Sequence, residues 1–178
     1  MKKTIVVLLS LLIAAAGCSQ QRQEPKNENP VIYPGGVTMK SPEEIRQLEE
    51  LARQAPKNAN AWIALGNALM DSNRFSEAVD AYGKALALDP KNVDVRVDRG
   101  TCLKNSGRPQ QAIEEFRKAL KINPNHLYAH LNSGVVLSYD LHNKQEGIKE
   151  FEKYLALAPN APNAEEIRRT VQELKASK

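Results

Sequence analysis

Residues 62–90 read WIALGNALMDSNRFSEAVDAYGKALALDP. The informative positions are Trp62, Leu65, Gly66, Leu69, Ala78, Tyr82, Ala85 and Pro90, because residues of the same kinds return along the chain at a fixed interval. Prolines recur at Pro56, Pro90, Pro124 and Pro159, spaced 34, 34 and 35 residues apart. Glycines recur at Gly66, Gly100 and Gly134, each 34 apart, and Ala78 with Ala112 and Tyr82 with Phe116 keep the same step. A period of this length is the mark of a helical solenoid, in which each unit buries its apolar side against the next.

These residues resemble the tetratricopeptide repeat (TPR), whose pattern is W-x2-L-G-x2-Y, then A-x3-F, then A and P. The second unit keeps Gly100, Leu103, Ala112, Phe116, Ala119 and Pro124 but has Arg96 and Arg99 where Trp and Leu would stand. The third keeps Gly134, Leu137, Phe151 and Pro159, has Gly147 in place of the alanine, and carries one extra residue, assigned to the inter-helix turn near Leu141 to Lys144. The resemblance implies an all-α, right-handed solenoid of three helical hairpins, residues 57–159, with units of about 59–92, 93–126 and 127–161. Glycine on the first helix and alanine on the second let the backbones approach. The aromatic at Tyr82, Phe116 or Phe151 is expected to fill the gap between neighbouring hairpins, and proline ends the second helix.

Such an array needs covered ends. Ser41-Pro42-Glu43-Glu44 reads as a capping box with proline in the first turn, and Ile45, Leu48, Leu51 and Ala52 mark the apolar face of a flanking helix within 41–56, ending near Gln54. Beyond Pro159, within 160–178, Asn163 and Glu166 form another capping pattern. Ile167, Val171 and Leu174 line a final helix of about 13 residues.

Before the repeats, Lys2 and Lys3 precede an uncharged, mostly apolar run from Ile5 to Ala16, too short for a membrane span of about 20 residues. Ala15-Ala16-Gly17-Cys18 resembles the lipobox of bacterial lipoproteins, with Ala15 where Leu is commoner. That resemblance implies a signal peptide over 1–17, lipidation (palmitate-type acylation) at Cys18, and a membrane anchor in the cell envelope. Ser19, rather than Asp, resembles an outer-membrane sorting signal, facing the periplasm if the host has two membranes. Residues 18–40 then carry the lipidated cysteine and a tether. Pro25, Pro30, Pro34 and Gly35-Gly36 break up Ser19 to Lys40, and as a flexible coil those 22 residues span about 26 Å on average.

Composition agrees with a helical binding protein. Aromatics are 5% of the chain, and the net charge of +4 falls to +2 without Lys2 and Lys3, with no basic cluster of the kind a nucleic-acid binder shows. With Cys18 lipidated, Cys102 has no intramolecular partner. It sits in a helical apolar pattern between Gly100 and Leu103, where cysteine acts as a small buried hydrophobe. His126 and His130 share a helix face, but no cysteine or acidic pair stands beside them in sequence, and His130 occupies the slot of Trp62. No metal site, no cofactor and no small-molecule substrate is expected. The neighbouring carboxylates Glu43-Glu44, Glu114-Glu115 and Glu165-Glu166 do not face each other on a helix, and no catalytic motif appears, so the chain is not read as an enzyme. Arg99 must snorkel out or pair with an acidic residue, Glu115 or another nearby acid, or else it anchors a partner's carboxylate.

In the resembled family the first helices line a concave groove that binds protein segments. The groove positions map onto Asn60, Ile63, Asn67, Met70 and Asp71; onto Asp94, Val97, Thr101, Lys104 and Asn105; and onto Tyr128, Leu131, Val135 and Tyr139. Several of these also suit packing between hairpins, Leu131 and Val135 above all. Some family members clamp acidic chaperone tails with lysines; Asn67 fits that clamp and Ile63 does not. The mixture of Ile63, Met70, Val97, Tyr128 and Leu131 with amides suits a peptide with apolar anchors. The expected role is a membrane-anchored adaptor or scaffold for other proteins. The alternative is a periplasmic holdase or assembly factor for exported client chains of the apocytochrome or pilin type.

Overall fold

A computed structural model describes residues 41–177, and the signal peptide expected over 1–17, Cys18 and the stretch to Lys40 lie outside them. The described residues form eight α-helices and one π-helical turn, and no strand. Helix α1 spans Pro42–Gln54. Three hairpins follow: α2 (Ala59–Asp71) with α3 (Phe75–Leu88), α4 (Val93–Asn105) with α5 (Pro109–Ile122), and α6 (Leu127–Val135) with α7 (Lys144–Leu157). Helix α8 is Ala164–Ala176. Consecutive helices pack on one another in chain order, α1 on α2 and α8 on α7 at the two ends. Helices of 13 or 14 residues, such as α2 and α3, are marginal alone in water, so their stability comes from these contacts.

The seam of each hairpin is one glycine under one ring. A Cβ built on Gly66 would lie 2.6 Å from Tyr82 Cε1; on Gly100, 2.5 Å from Phe116 Cε1; on Gly134, 2.5 Å from Phe151 Cδ1. The three rings are fully buried. The aromatic contact expected between neighbouring hairpins is therefore made within each one, across its own glycine.

A second repeated bond joins each hairpin to what precedes it. Trp62 Nε1 donates to the carbonyl of Pro56 at 3.1 Å, Arg96 Nη2 to that of Pro90 at 2.7 Å, and His130 Nε2 meets that of Pro124 at 2.8 Å. Three unlike side chains thus do one job. The slot requires an N–H donor of sufficient reach, and aromatic bulk is optional. The other face of His130, at Nδ1, lies 2.6 Å from Glu150 Oε2, so the buried ring bridges two acceptors. His126 works apart from it, its Nδ1 accepting from the Ala129 N–H to cap α6 and its Nε2 lying 2.9 Å from Asp94 Oδ1.

The extra residue of the third unit is not in the turn where the sequence placed it. In the first two hairpins the turn closes by Arg74 N–H to Leu69 O and Arg108 N–H to Leu103 O, and in the third by Asn143 N–H to Leu137 O, one residue longer. The left-handed residue of each turn, Asn73, Gly107 or His142, keeps its place before the second helix. The insertion is taken up inside the first helix, as the π-helical turn Val136–Asp140. That widened turn brings Ser138 against α7, where a Cβ on Gly147 would collide with the Ser138 hydroxyl and approach the Gly134 carbonyl at 3.0 Å. The two departures of the third unit, the insertion and the missing alanine, are one event.

The ends differ in part from expectation. The capping box forms, with Glu44 N–H donating to Ser41 Oγ at 3.2 Å and Ser41 N–H to Glu44 Oε2 at 2.8 Å. Ile45 and Ala52 are buried, but Leu51, expected on the same face, is 56% exposed, because among the described helices α1 packs chiefly on α2. Ile167, Val171 and Leu174 pack with Leu131, Phe151 and Tyr154 in a separate apolar cluster that closes the C-terminal end. Asn163 does not cap α8 with its side chain: its Oδ1 accepts from the Tyr154 hydroxyl at 2.5 Å instead.

Gly100→Ala tests the seam. In an exposed helix interior that change adds about 1 kcal/mol of stability, whereas here the methyl must displace a buried ring and should cost about 1–3 kcal/mol. Urea unfolding measures the sign.

The candidate interaction groove

Ten of the fourteen groove positions divide in two. Asn60, Asn67 and Asp94 are exposed, and Ile63, Met70 and Tyr128 are half-buried. Val97, Thr101, Lys104 and Leu131 are buried and do not line an open surface. The reason is local. Leu131 belongs to the C-terminal apolar cluster, and Thr101 is closed over by α6, whose Asn132 Nδ2 donates to Thr101 Oγ1 at 3.2 Å. Lys104 is 3% exposed, faces the charge of Asp140 on the π-helical turn, and burial pulls its ammonium below the usual lysine range. The same turn leaves Val135 buried and Tyr139 exposed. The π-helical turn thus faces the C-terminal end of the expected groove at Lys104, and the open positions are those on α2 with Asp94 on α4 and Tyr128 on α6.

Among those on α2 the polar atoms are set from behind. The Tyr82 hydroxyl, reaching past Gly66, donates to Asn67 Oδ1 at 2.7 Å and lies 3.8 Å from Met70 Sδ. This fixes the Asn67 amide with its nitrogen end available. Repeats two and three have phenylalanine at that position and no such support.

Arg96 and Arg99 lie on the other side of α4, away from this work. Glu115, nearly fully buried on α5, takes Arg96 Nη1 at 2.9 Å, Arg99 Nη1 at 3.2 Å and Lys118 Nζ at 2.8 Å. Burial pushes the Glu115 carboxyl up. The Lys118 hydrogen bond and the charges of Arg99, Lys118 and Arg96 outweigh it and hold the carboxyl below the ordinary glutamate value. Arg99 Nε also donates to the Val79 carbonyl at 3.3 Å, so the network bridges the first two hairpins. Arg99 has an acidic partner in Glu115. Cys102 is fully buried, and burial pushes its thiol well above the thiolate range.

Repeat arithmetic missed Asp98. It stands one residue from Val97 on α4, and first burial, then the like charges of Asp94 and Asp71, push its carboxyl up to about 7. The signal available in the sequence was three aspartates, at 71, 94 and 98, on two successive first helices. Their convergence depends on the stacking.

Residues 42–165 match the family described as the cytochrome c-type biogenesis protein H TPR domain. Among solved structures the chain is similar to MamA, with a TM-score of 0.68 and 21% identity, covering 74% of this chain and 76% of that one. It is similar to the first TPR domain of human RPAP3, with a TM-score of 0.63 and 24% identity over 68% of this chain and 95% of that one. It is similar also to the first TPR of Spaghetti (RPAP3) bound to an HSP90 peptide, at TM-score 0.63 and 24% identity, covering 68% and 96%. These likenesses establish the fold as stacked TPR hairpins. No curated protein matches the chain.

Two substitutions read the electrostatics. Glu115→Ala leaves the largely covered Arg96 and the half-buried Arg99 without their carboxylate and should destabilise the domain by about 3 kcal/mol in denaturant unfolding. Asp98→Asn should act in the opposite direction. The folded carboxyl holds its proton up to about pH 7, while the unfolded one releases it near pH 4. Wild-type stability therefore falls as pH rises through that window, since the native state binds more protons. The variant's advantage should be absent at pH 4, grow to pH 7 and stay level above it, reaching about 5 °C in Tm at pH 8.

Proposed function

We propose, from the premise that this chain belongs to the family of the cytochrome c-type biogenesis protein H TPR domain, that it is a non-catalytic module that takes a segment of another protein into its concave face. The observation that carries this reading is the set of open groove positions. Ile63, Met70 and Tyr128 are half-buried apolar anchors, and Asn60 and Asn67 are exposed amides that pair with an extended or helical backbone. A neighbour of the same fold, the first TPR of Spaghetti (RPAP3), is bound to an HSP90 peptide, which supports the choice of the groove as the binding face. In this reading Cys18 carries acyl chains, two or more of which anchor stably where one does not. The domain then works as an adaptor or scaffold at an envelope membrane, on the periplasmic side of the outer membrane in a host with two.

The family description favours a second, more specific reading: an assembly factor that holds exported client chains of the apocytochrome type. Both use the same groove and differ in occupant.

A photo-crosslinking residue placed at Ile63 in intact cells, against one at the exposed Glu114 on α5, tests the common claim. Adducts should form from position 63 and not from 114; equal labelling from both removes the groove from consideration. One stoichiometric partner supports the adaptor, and haem-free cytochrome chains support the client-holding reading. Labelling with a palmitate analogue should mark the wild-type chain and not Cys18→Ser.

A further inference from the structure

Helix α1 has the place of a second helix, and no first helix lies across it among the described residues. Its apolar positions keep the 34-residue register of the repeats. Ile45 stands at the place of Val79, Leu48 at that of Tyr82, Leu51 at that of Ala85 and Ala52 at that of Leu86. Ile45 and Ala52 are buried, as Val79 and Leu86 are, since α1 packs on α2 as α3 packs on α4. The other two positions behave differently. In the complete hairpins the place of Leu48 is taken by Tyr82, Phe116 and Phe151, all fully buried against the glycine of their own first helix. The place of Leu51 is taken by Ala85, Ala119 and Tyr154, which are at most 4% exposed. On α1, Leu48 is half-buried and Leu51 is 56% exposed.

The open strip is short. Glu44 stands where Ala78, Ala112 and Gly147 let two helices close up, and its carboxylate is held in the capping box by the Ser41 N–H. A full helix therefore cannot lie along α1 at the usual distance, and the apolar surface runs only from Leu48 to Leu51. Exposed Glu43, Arg46, Gln47, Glu50 and Arg53 surround it. Two leucines are too little for a second copy of the chain, because a stable dimer buries about 800 Å² on each partner. They suit a few apolar residues held close by covalent connection.

The chain that leads into α1 carries such residues. Counting back 34 from Leu65, Gly66 and Asn67 gives Val31, Ile32 and Tyr33, the one apolar triplet between Ser19 and Lys40. Ile32 thus has the register of Gly66, and Leu48 has that of the ring opposite: a larger residue replaces the glycine and a smaller one replaces the aromatic. Pro30, Pro34 and Gly35-Gly36 exclude a regular helix through the triplet, which agrees with the barrier at Glu44. Residues 34–40 reach about 23 Å when extended, against about 14 Å along α1 from Pro42 to Leu51. So short a link holds the triplet near the strip at about millimolar effective concentration.

We propose that Val31-Ile32-Tyr33 docks across Leu48 and Leu51 as an extended segment and covers the N-terminal end of the solenoid. The tether then leaves the stack from the outer face of α1.

Disulfide trapping in the full chain tests it. Asn29→Cys and Gln47→Cys place thiols beside the triplet and beside the strip without altering either, and Cys18→Ser leaves Cys102, fully buried, as the only other thiol. On mild oxidation an intrachain crosslink should form. Replacing residues 31–33 by serines should slow it about tenfold, and so should Leu51→Asp, with no further loss when the two are combined. Both changes lie outside the core, and unchanged urea midpoints for residues 41–178 confirm that the fold is kept. A rate indifferent to the serine replacement means that linker proximity alone brings the thiols together, and it overturns the proposal. Indifference to Leu51→Asp overturns it too, as the triplet then rests elsewhere. Crosslinked dimers that outpace the intrachain product assign the strip to a second copy and likewise sink the idea.

Discussion

The glycine-on-ring contact at the centre of each hairpin sets the distance between its helices, and the rest of the molecule follows from that distance. With Tyr82, Phe116 and Phe151 lying where a Cβ on Gly66, Gly100 or Gly134 would be, the first and second helices close up and the ring fills the space between them. Closeness in one hairpin brings the next into range, which is how Trp62, Arg96 and His130 reach the proline carbonyls six residues before them. The helix lengths, the turns and the ends are adjustments to this packing.

The carbonyl contact shows how far a repeat tolerates substitution. Bulk at that slot is dispensable provided an N–H of sufficient reach is present, and the charge of Arg96 is neutralised by Glu115. At the corresponding place in the third hairpin His130 Nδ1 lies against Glu150. In the second hairpin one buried carboxylate also holds Arg99 and Lys118, which ties that hairpin to the first through the Val79 carbonyl. Such a network is costly to break from one side and close to neutral when complete.

The third hairpin is where function and packing meet. One inserted residue, absorbed as a π-helical turn, forces glycine at 147 and sets Asp140 facing the buried Lys104 at the C-terminal end of the concave face. The open positions of α2 adjoin the Tyr82 hydroxyl, which orients Asn67.

The sequence alone determined the repeat, the order of helices and the covered ends, because these depend on residue types at fixed separations along the chain, and a glycine or proline every 34 residues has one structural meaning. It identified Trp62 and His130 as one slot and offered Glu115 as the partner of Arg99, since both follow from counting within a known unit. Only the tertiary structure decided which groove residues are open. Thr101 and Leu131 sit at positions equivalent to open ones in other units, and their burial comes from the bulk of a neighbouring hairpin, which no local spacing encodes. It also decided that the extra residue widens a helix in place of a turn, a choice between two conformations of similar length. Finally, it decided that Asp98 meets Asp71 and Asp94. Charge repulsion and burial depend on distances between helices, and those distances exist only once the hairpins have stacked.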